Sequence, residues 1–227
     1  MNPSIASNVL IVGASRGLGM EFVRQYRAAG ARVTATARSD DGLAAMAALG
    51  AKALRLDVTD ASSAAGLAWQ VDGEAFDVVF YMSGVYGPRT SGLEPPTVDD
   101  FDAVMHTNVL GAMRVIPSVA EALAPGARIA VVSSRMGSIG LRSSASGWTY
   151  RASKAAVNSV LKDASIALAG RALCAAFHPG WVRTDMGGAG ADIDATESVA
   201  GMRSALAALD AARNGSFLNY DGTPLAW

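Results

Sequence analysis

The sequence predicts an α/β protein, a doubly wound parallel sheet of about seven strands with helices on both faces, forming one Rossmann-like domain over residues 1–227. Three observations predict it. Short apolar runs rich in β-branched residues alternate with helical patterns along the chain, as expected of strands buried on both faces. The first run leads straight into a glycine-rich turn and then a helix. No linker divides the 227 residues, and a 51% hydrophobic content supplies material for a large core.

Taken in order, residues 9–12 (Val-Leu-Ile-Val) read as the first strand. Gly13-Ala14-Ser15-Arg16-Gly17-Leu18-Gly19 follows, and then a helix over 20–29 closed by Gly30. Glycines let a backbone approach a pyrophosphate closely, and the helix start adds unpaired N–H groups and a positive dipole, so the turn is read as a dinucleotide site rather than a plain tight turn. The second strand spans 32–38. At its end, where cofactors lacking a 2′-phosphate are usually gripped by an acid, this chain has Ala37 and Arg38. An arginine suits the 2′-phosphate of NADP(H), and Arg16 can approach the same phosphate, so NADP(H) is favoured over NAD(H). Asp40 and Asp41 keep NAD(H) open, though both equally read as a cap for the helix starting near Gly42.

Residues 54–58 read as the third strand, placing Asp57 and Val58 at its carboxyl end, where Asp57 could accept from an adenine amino group or simply cap a turn. The fourth strand, 76–81, runs into Met82-Ser83-Gly84, whose glycine again permits close backbone approach. Apolar residues at helical spacing over 98–122 predict one long buried helix with Asn108 inside its apolar stripe, where an unpartnered amide costs about 1–3 kcal/mol. The fifth strand, 128–134, delivers Ser133 and Ser134 to the carboxyl edge of the sheet, where sites of open α/β folds form. A helix over 147–168, a strand over 172–177, the stretch His178-Pro179-Gly180-Trp181-Val182-Arg183-Thr184, a helix over 196–212 and a last strand over 215–219 complete the alternation.

Charge and composition exclude other classes. A net charge of -1 without a basic run leaves no electrostatic footprint for nucleic acid or an anionic membrane. No apolar run approaches a membrane span, and residues 1–8 carry no targeting pattern, so a cytoplasmic protein is expected. The single Cys174 lies in an apolar run and reads as a buried structural thiol. Two histidines and one cysteine without ligand spacing argue against a metal site. His178 reads as a satisfied residue at a strand end and His106 as structural or exposed.

Tyr150 and Lys154 stand four apart in Gly147-Trp-Thr-Tyr-Arg-Ala-Ser-Lys154, on one face of a helix. A phenol titrates near pH ~10, and a neighbouring ammonium favours the phenolate, so the pair could form a proton donor working near neutrality. Two ordinary helix residues are the plain alternative; the surrounding motifs decide it.

Gly13-x-x-x-Gly17-x-Gly19, Asp57, Asn108, Ser134, Tyr150-x-x-x-Lys154 and Pro179-Gly180 followed by Thr184 together resemble the short-chain dehydrogenase/reductase family, over nearly the whole chain and in the family's order. Within it the chain resembles the branch of sniffer-type carbonyl reductases and C-factor-like bacterial proteins. The resemblance implies an oxidoreductase interconverting a small-molecule carbonyl and an alcohol. It implies that Tyr150 protonates the carbonyl oxygen, Ser134 polarises it, and Lys154 lowers the Tyr150 pKa and binds the nicotinamide ribose. Asn108 would hold a water linking Lys154 to solvent, and Thr184 with the Val182 backbone would fix the carboxamide. Where the family usually has Asn-Ala-Gly, this chain has Met82-Ser83-Gly84 and so lacks an amide. Ser133 and Ser138 stand as alternatives to Ser134. Trp148, Trp181, Met186, Val85 and Tyr86 are candidates to line a substrate pocket or are plain core. Residues 187–196, rich in Gly and Ala, read as a mobile lid. Small residues Ala152, Ala156 and Ser159 on a helix apolar on more than one face point to a homodimer or homotetramer. A second reading, a C-factor-like nucleotide-binding signalling protein, would need the glycine turn and Arg38 but not Ser134, Tyr150 and Lys154 together.

Overall fold

The computed structural model describes residues 8–91 and 93–227. The stretch 1–7, read above as free of a targeting pattern, lies outside them.

Seven parallel strands form one sheet in the order β3-β2-β1-β4-β5-β6-β7. They are β1 Asn8–Val12, β2 Arg32–Ala37, β3 Lys52–Arg55, β4 Phe76–Tyr81, β5 Leu123–Val132, β6 Ala172–His178 and β7 Ser216–Asn219. Between them run α1 Gly17–Ala28, α2 Asp40–Ala48, α3 Ala61–Gln70, α4 Val98–Met105, α5 Gly111–Val119, α6 Trp148–Ala167 and α7 Ala195–Ala207. The doubly wound architecture expected from the alternation is what forms. Strand residues alternate between two cores. Leu10, Val12, Val79, Tyr81, Ile129 and Val131 pack under α3, α5 and α6 through Leu67, Val115, Val157 and Leu161. Val9, Ile11, Phe80 and Phe177 pack on the other face against Phe22, Val23, Met202 and Leu206 of α1 and α7. The whole of β1 is buried, which is why its sequence is uniformly apolar. Each buried side chain of this size contributes about 1.5–3 kcal/mol.

Three expected boundaries shift. The third strand is Lys52–Arg55 and not 54–58. Past Arg55 only the Leu56 N–H reaches β2, at the Ala37 carbonyl, and Asp57 then closes its own turn by accepting from the Thr59 N–H and hydroxyl at 2.9 and 2.7 Å. The cap of α2 is Ser39, which accepts from the Gly42 N–H; Asp40 and Asp41 sit in the first turn, where the helix dipole favours them. The last helix ends at Ala207 rather than 212, and Asp210 caps a separate short turn at Ala211–Arg213.

The expected long helix over 98–122 is divided. Between α4 and α5 the chain widens into a π turn, His106–Leu110, and after α5 it tightens into a short 3-10 turn. The π turn loosens the ladder at Asn108, and the Tyr81 hydroxyl donates to the Thr107 carbonyl at 2.8 Å. Among the described residues no helix is long and apolar enough to cross a membrane.

Candidate active site

At the carboxyl edge of β1 the chain makes room by leaving side chains out. Gly13 has φ 88°, and a Cβ there would lie 2.5 Å from the Ser83 Oγ and 2.8 Å from its backbone nitrogen. Gly13 and Ala14 are tied down by Thr36 of β2, whose hydroxyl and carbonyl accept their N–H groups. A Cβ at Gly19 would lie 2.6 Å from the Gly13 carbonyl oxygen, so the first turn of α1 rests directly on the loop. Gly17, with φ 53°, faces the Thr184 methyl, which brings the glycine loop against the segment after β6. Ser15 and Arg16 are exposed and Leu18 half-buried; Ser15 lies beside Gly42 at the start of α2.

The adenosine end carries the charges the sequence led us to expect, in a different pairing. Arg16 makes an ion pair with Asp185 at 3.4 Å across the mouth of the cleft. Asp40 is held by Arg55, which also donates to the Arg38 carbonyl. Asp57 lies within the field of Arg38; burial works against its charge, yet the Thr59 hydrogen bonds and Arg38 hold it below the usual carboxylate range. Val58 is buried against Gly111, and its carbonyl accepts from Arg114. Arg55 is the residue missed here, and nothing in its strand position marked it.

At β4 and α6 the site is built from buried side chains. Tyr150 is 7% exposed and Lys154 5% exposed. The Lys154 Nζ donates to the Val132 carbonyl at 3.0 Å and lies 5.6 Å from the centroid of the Tyr150 ring. A Cβ on Gly84 would be 3.3 Å from both that Nζ and the Asn108 Oδ1, so Gly84 is glycine because lysine and amide converge there. Burial pushes the Tyr150 phenol up to about 12, with hydrogen bonding from Ser134 pulling it down and the Tyr86 phenol pushing it up. Burial brings Lys154 down to about 8. Burial outweighs any lowering by Lys154, whose ammonium stands over the ring and against the Val132 carbonyl.

Ser134 is the one of three candidate serines that meets Tyr150. Its Oγ accepts from the Met136 N–H at 3.1 Å and the hydroxyl pairs with the phenol. Ser133 donates to the Lys154 carbonyl, and Ser138 to the Ala226 and Trp227 carbonyls. Asn108 spends its amide within the protein: Nδ2 donates to the Val85 carbonyl and the Ser153 Oγ, both at 2.9 Å, and Oδ1 accepts from the Val85 N–H at 2.8 Å. Both donors are used, so the side chain ties the loop after β4 to α6.

After β6, Gly180 has φ 83° and its missing side chain faces Ile193 at 2.6 Å. The Pro179 carbonyl accepts from Ser198, and Thr184 accepts from the Gly187 N–H. The expected mobile lid is stitched down: Val182 bridges Ile193, Arg183 donates to the Ala191 and Asp192 carbonyls, and Trp181 to the Gly187 carbonyl. His178 is not satisfied as expected. Among the described residues its Nδ1 is buried without a hydrogen-bond partner, and burial, reinforced by Arg135, brings its pKa down to about 4. It lines a cavity of about 650 Å3 with Leu141, Gly180, Trp181, Ile193 and Arg135, the residue after Ser134. Trp148 borders a smaller cavity of about 420 Å3, Met186 is exposed, and Cys174 is buried with its thiol pushed up to about 12. Tyr86, one of five loosely placed pocket candidates, lies face to face with Tyr150, ring centroids 4.5 Å apart.

A glycine-cradled cleft at a sheet edge, with a serine-bonded phenol and a buried lysine beside it, defines a nucleotide-dependent oxidoreductase site. The short chain dehydrogenase family model matches residues 7–193. The C-signal protein of Myxococcus xanthus is 39% identical over 66% of this chain and 92% of its own length. The 1-hydroxy-2-glutathionyl-2-methyl-3-butene dehydrogenase of Rhodococcus sp. is 32% identical over 97% of this chain and all of its own length. Among solved structures, the carbonyl reductase Sniffer of D. melanogaster superposes with a TM-score of 0.88 at 28% identity, covering 98% of this chain and 100% of that one. A carbonyl reductase from Pseudomonas aeruginosa PAO1 in complex with NADP gives 0.82 at 30% identity, covering 98% and 100%. The chain belongs to the short-chain dehydrogenase/reductase family.

Proposed function

We propose that this chain is an NADP(H)-dependent oxidoreductase that interconverts a small-molecule aldehyde or ketone and its alcohol. The observation that carries the reading is the meeting of Tyr150, Ser134 and Lys154 beside the glycine cradle, at one sheet edge.

The residues fit a dinucleotide. Gly13 and Gly19 clear space in which a side chain would clash, Gly17 supplies the positive φ of the turn, Ser83 and Gly84 line the floor, and Pro179, Gly180, Val182 and Thr184 form the opposite wall. At the ribose end Arg38 stands free of an ion pair among the described residues, while Asp40, the acid that would favour NAD(H), is neutralised by Arg55. That balance, and the NADP in the Pseudomonas neighbour, support NADP(H). The bound cofactor supplies or takes up the hydride.

Ser134 hydrogen-bonds the substrate oxygen and holds the phenol toward it. Tyr150 gives its proton to that oxygen during carbonyl reduction and takes it back during alcohol oxidation. Its raised pKa keeps it protonated as an acid, and the phenolate left behind is stabilised by Lys154 in its charged form. Asn108 positions the loop carrying Val85 against α6. The cavity beside Arg135 and Trp181 takes the substrate. The chain works as one domain, in the cytoplasm, as a homodimer or homotetramer packed through the exposed Ala152 and Ser159 side of α6; light scattering giving a monomer mass across micromolar concentrations overturns that assembly.

The likeness to C-signal favours a second reading, a nucleotide-binding signalling protein. One experiment separates the two: loss of NADPH absorbance with a panel of aldehydes, ketones and quinones, with Tyr150→Phe alongside. Turnover that disappears in Tyr150→Phe supports the enzyme; tight NADPH binding without turnover supports signalling.

A further inference from the structure

Tyr150 does not stand alone against Lys154. Tyr86 is stacked on the Tyr150 ring, with ring centroids 4.5 Å apart and planes tilted by 24°. Over the Tyr86 ring, 5.3 Å from its centroid, lies the guanidinium of Arg89. The contacts run Lys154 to Tyr150, Tyr150 to Tyr86 and Tyr86 to Arg89, two cations and two rings in sequence. Rings stack and cations sit over rings because the π faces are electron-rich, so each contact in the column favours the next.

The loop that supplies the outer half is anchored where it must be. Asn108 holds Val85 from both sides of its peptide group, one residue before Tyr86. Gly147, the residue just before α6, has φ 66° and donates its N–H to the Thr90 carbonyl, one residue after Arg89. A side chain at Gly147 would lie 2.7 Å from the Tyr86 hydroxyl, so that position is glycine to let the ring pass.

We propose that Tyr86, clamped by Arg89, is a positioning residue for the reaction: it fixes the plane of the Tyr150 ring and so aims the phenol at the substrate oxygen held by Ser134. Tyr150 is the third residue of α6, in its first turn. Without Tyr86 the hydroxyl swings, and proton transfer loses the alignment on which its rate depends. In the step itself the Tyr150 O–H bond breaks, its proton joins the substrate oxygen as the C=O π pair moves there, and hydride closes the carbon. Tyr86 exchanges neither proton nor electron.

The inference rests on the proposed reductase reading, and the test separates the two. With the carbonyl compound most rapidly reduced by NADPH, Tyr86→Leu is expected to lower kcat about tenfold to a hundredfold while KM for NADPH stays within about twofold. Tyr86→Phe, which keeps the stack, restores most of the rate. In a Tyr150→Phe background, Tyr86→Leu costs nothing further, since the two act as one unit. Arg89→Met, on an exposed side chain, lowers kcat by a few-fold and serves as the second variant if Tyr86→Leu does not fold. A Tyr86→Leu enzyme that binds NADPH normally and keeps kcat within about twofold overturns the proposal, as does a Phe variant that falls as far as Leu, or an additive double variant. Turnover surviving in Tyr150→Phe overturns the reductase reading instead, and this inference with it.

Discussion

The glycine loop after β1 and the first turn of α6 lie at the carboxyl edge of the same sheet, yet the first is shaped by side chains that are absent and the second by side chains that are buried. Around Gly13 the backbone is held by Thr36, space is set by Ser83, and the nearby charged groups, Arg16, Asp40 and Arg55, are paired at the surface. Around Tyr150 an ammonium and a phenol are both nearly out of water, and both titrations are displaced. Binding a long polar cofactor needs room and N–H groups, which backbone supplies; moving one proton needs displaced acidity, which only desolvation supplies at this cost.

The sharpest break of this contrast is Tyr150→Phe. It removes the proton donor and leaves the cradle intact, so kcat is expected to fall about a thousandfold, roughly 4 kcal/mol of barrier, with NADPH affinity changed by less than about threefold. Stopped-flow reduction and NADPH fluorescence titration measure the two. Gly13→Val is the mirror image. Its side chain would be driven into Ser83 at a φ that β-branched residues reject, so NADPH affinity is expected to drop about a hundredfold. A Gly13→Val protein that bound NADPH as the parent does would show that the loop has slack which its geometry denies.

The same contrast explains what could be read from the residues. A missing side chain leaves a letter behind: Gly13, Gly19, Gly84 and Gly180 are visible in the chain, and each marks a close approach, while Gly17 marks a positive φ. Strand placement was legible where a buried parallel strand is an apolar run, as in β1 and β6. What escaped depends on partners distant in sequence. Nothing at Asp40 announces that Arg55 occupies it, and nothing in Tyr150-x-x-x-Lys154 says that the lysine points to Val132 and leaves the phenol high. Asn108 was recognisable as a buried amide in need of partners, but Val85 and Ser153 are reached only because the helix widens there into a π turn. His178 read as a strand end; its unpartnered nitrogen follows from tertiary burial.

His178 turns the contrast into a pH experiment. Its folded pKa of about 4 lies below the ordinary imidazole value of 6.5, so between these limits the unfolded chain binds the proton and the folded one does not. Stability therefore rises with pH across this window and is lost as pH falls from 6.5 towards 4. His178→Asn removes the contribution. Relative to their values at pH 7.5, the parent is expected to lose about 2 kcal/mol more than the variant by pH 4.5, in urea unfolding, after allowing for partial exposure of the ring. Parallel pH curves for the two proteins would place the acid sensitivity elsewhere in the molecule.

The smallest expected effects belong to the two arginines at the cofactor mouth, and their ranking tests whether surface pairing decides cofactor choice. Arg16 already spends its charge on Asp185, with both side chains largely exposed, and such a pair is worth well under about 1 kcal/mol. Arg38, just after β2, makes no ion pair among the described residues and lies in the field of Asp57. Arg38→Ser is therefore expected to reduce the preference for NADPH over NADH about tenfold, some 1.4 kcal/mol, while Arg16→Ala reduces it about two- to threefold. Kd values for both cofactors, measured at two salt concentrations, distinguish a phosphate contact from a general field, because a charge that only sets the field loses its effect at high salt. If Arg16→Ala proved the more damaging, the Arg16–Asp185 pair would have to open on cofactor binding and hand its guanidinium to the phosphate, making the mouth of the cleft a moving part.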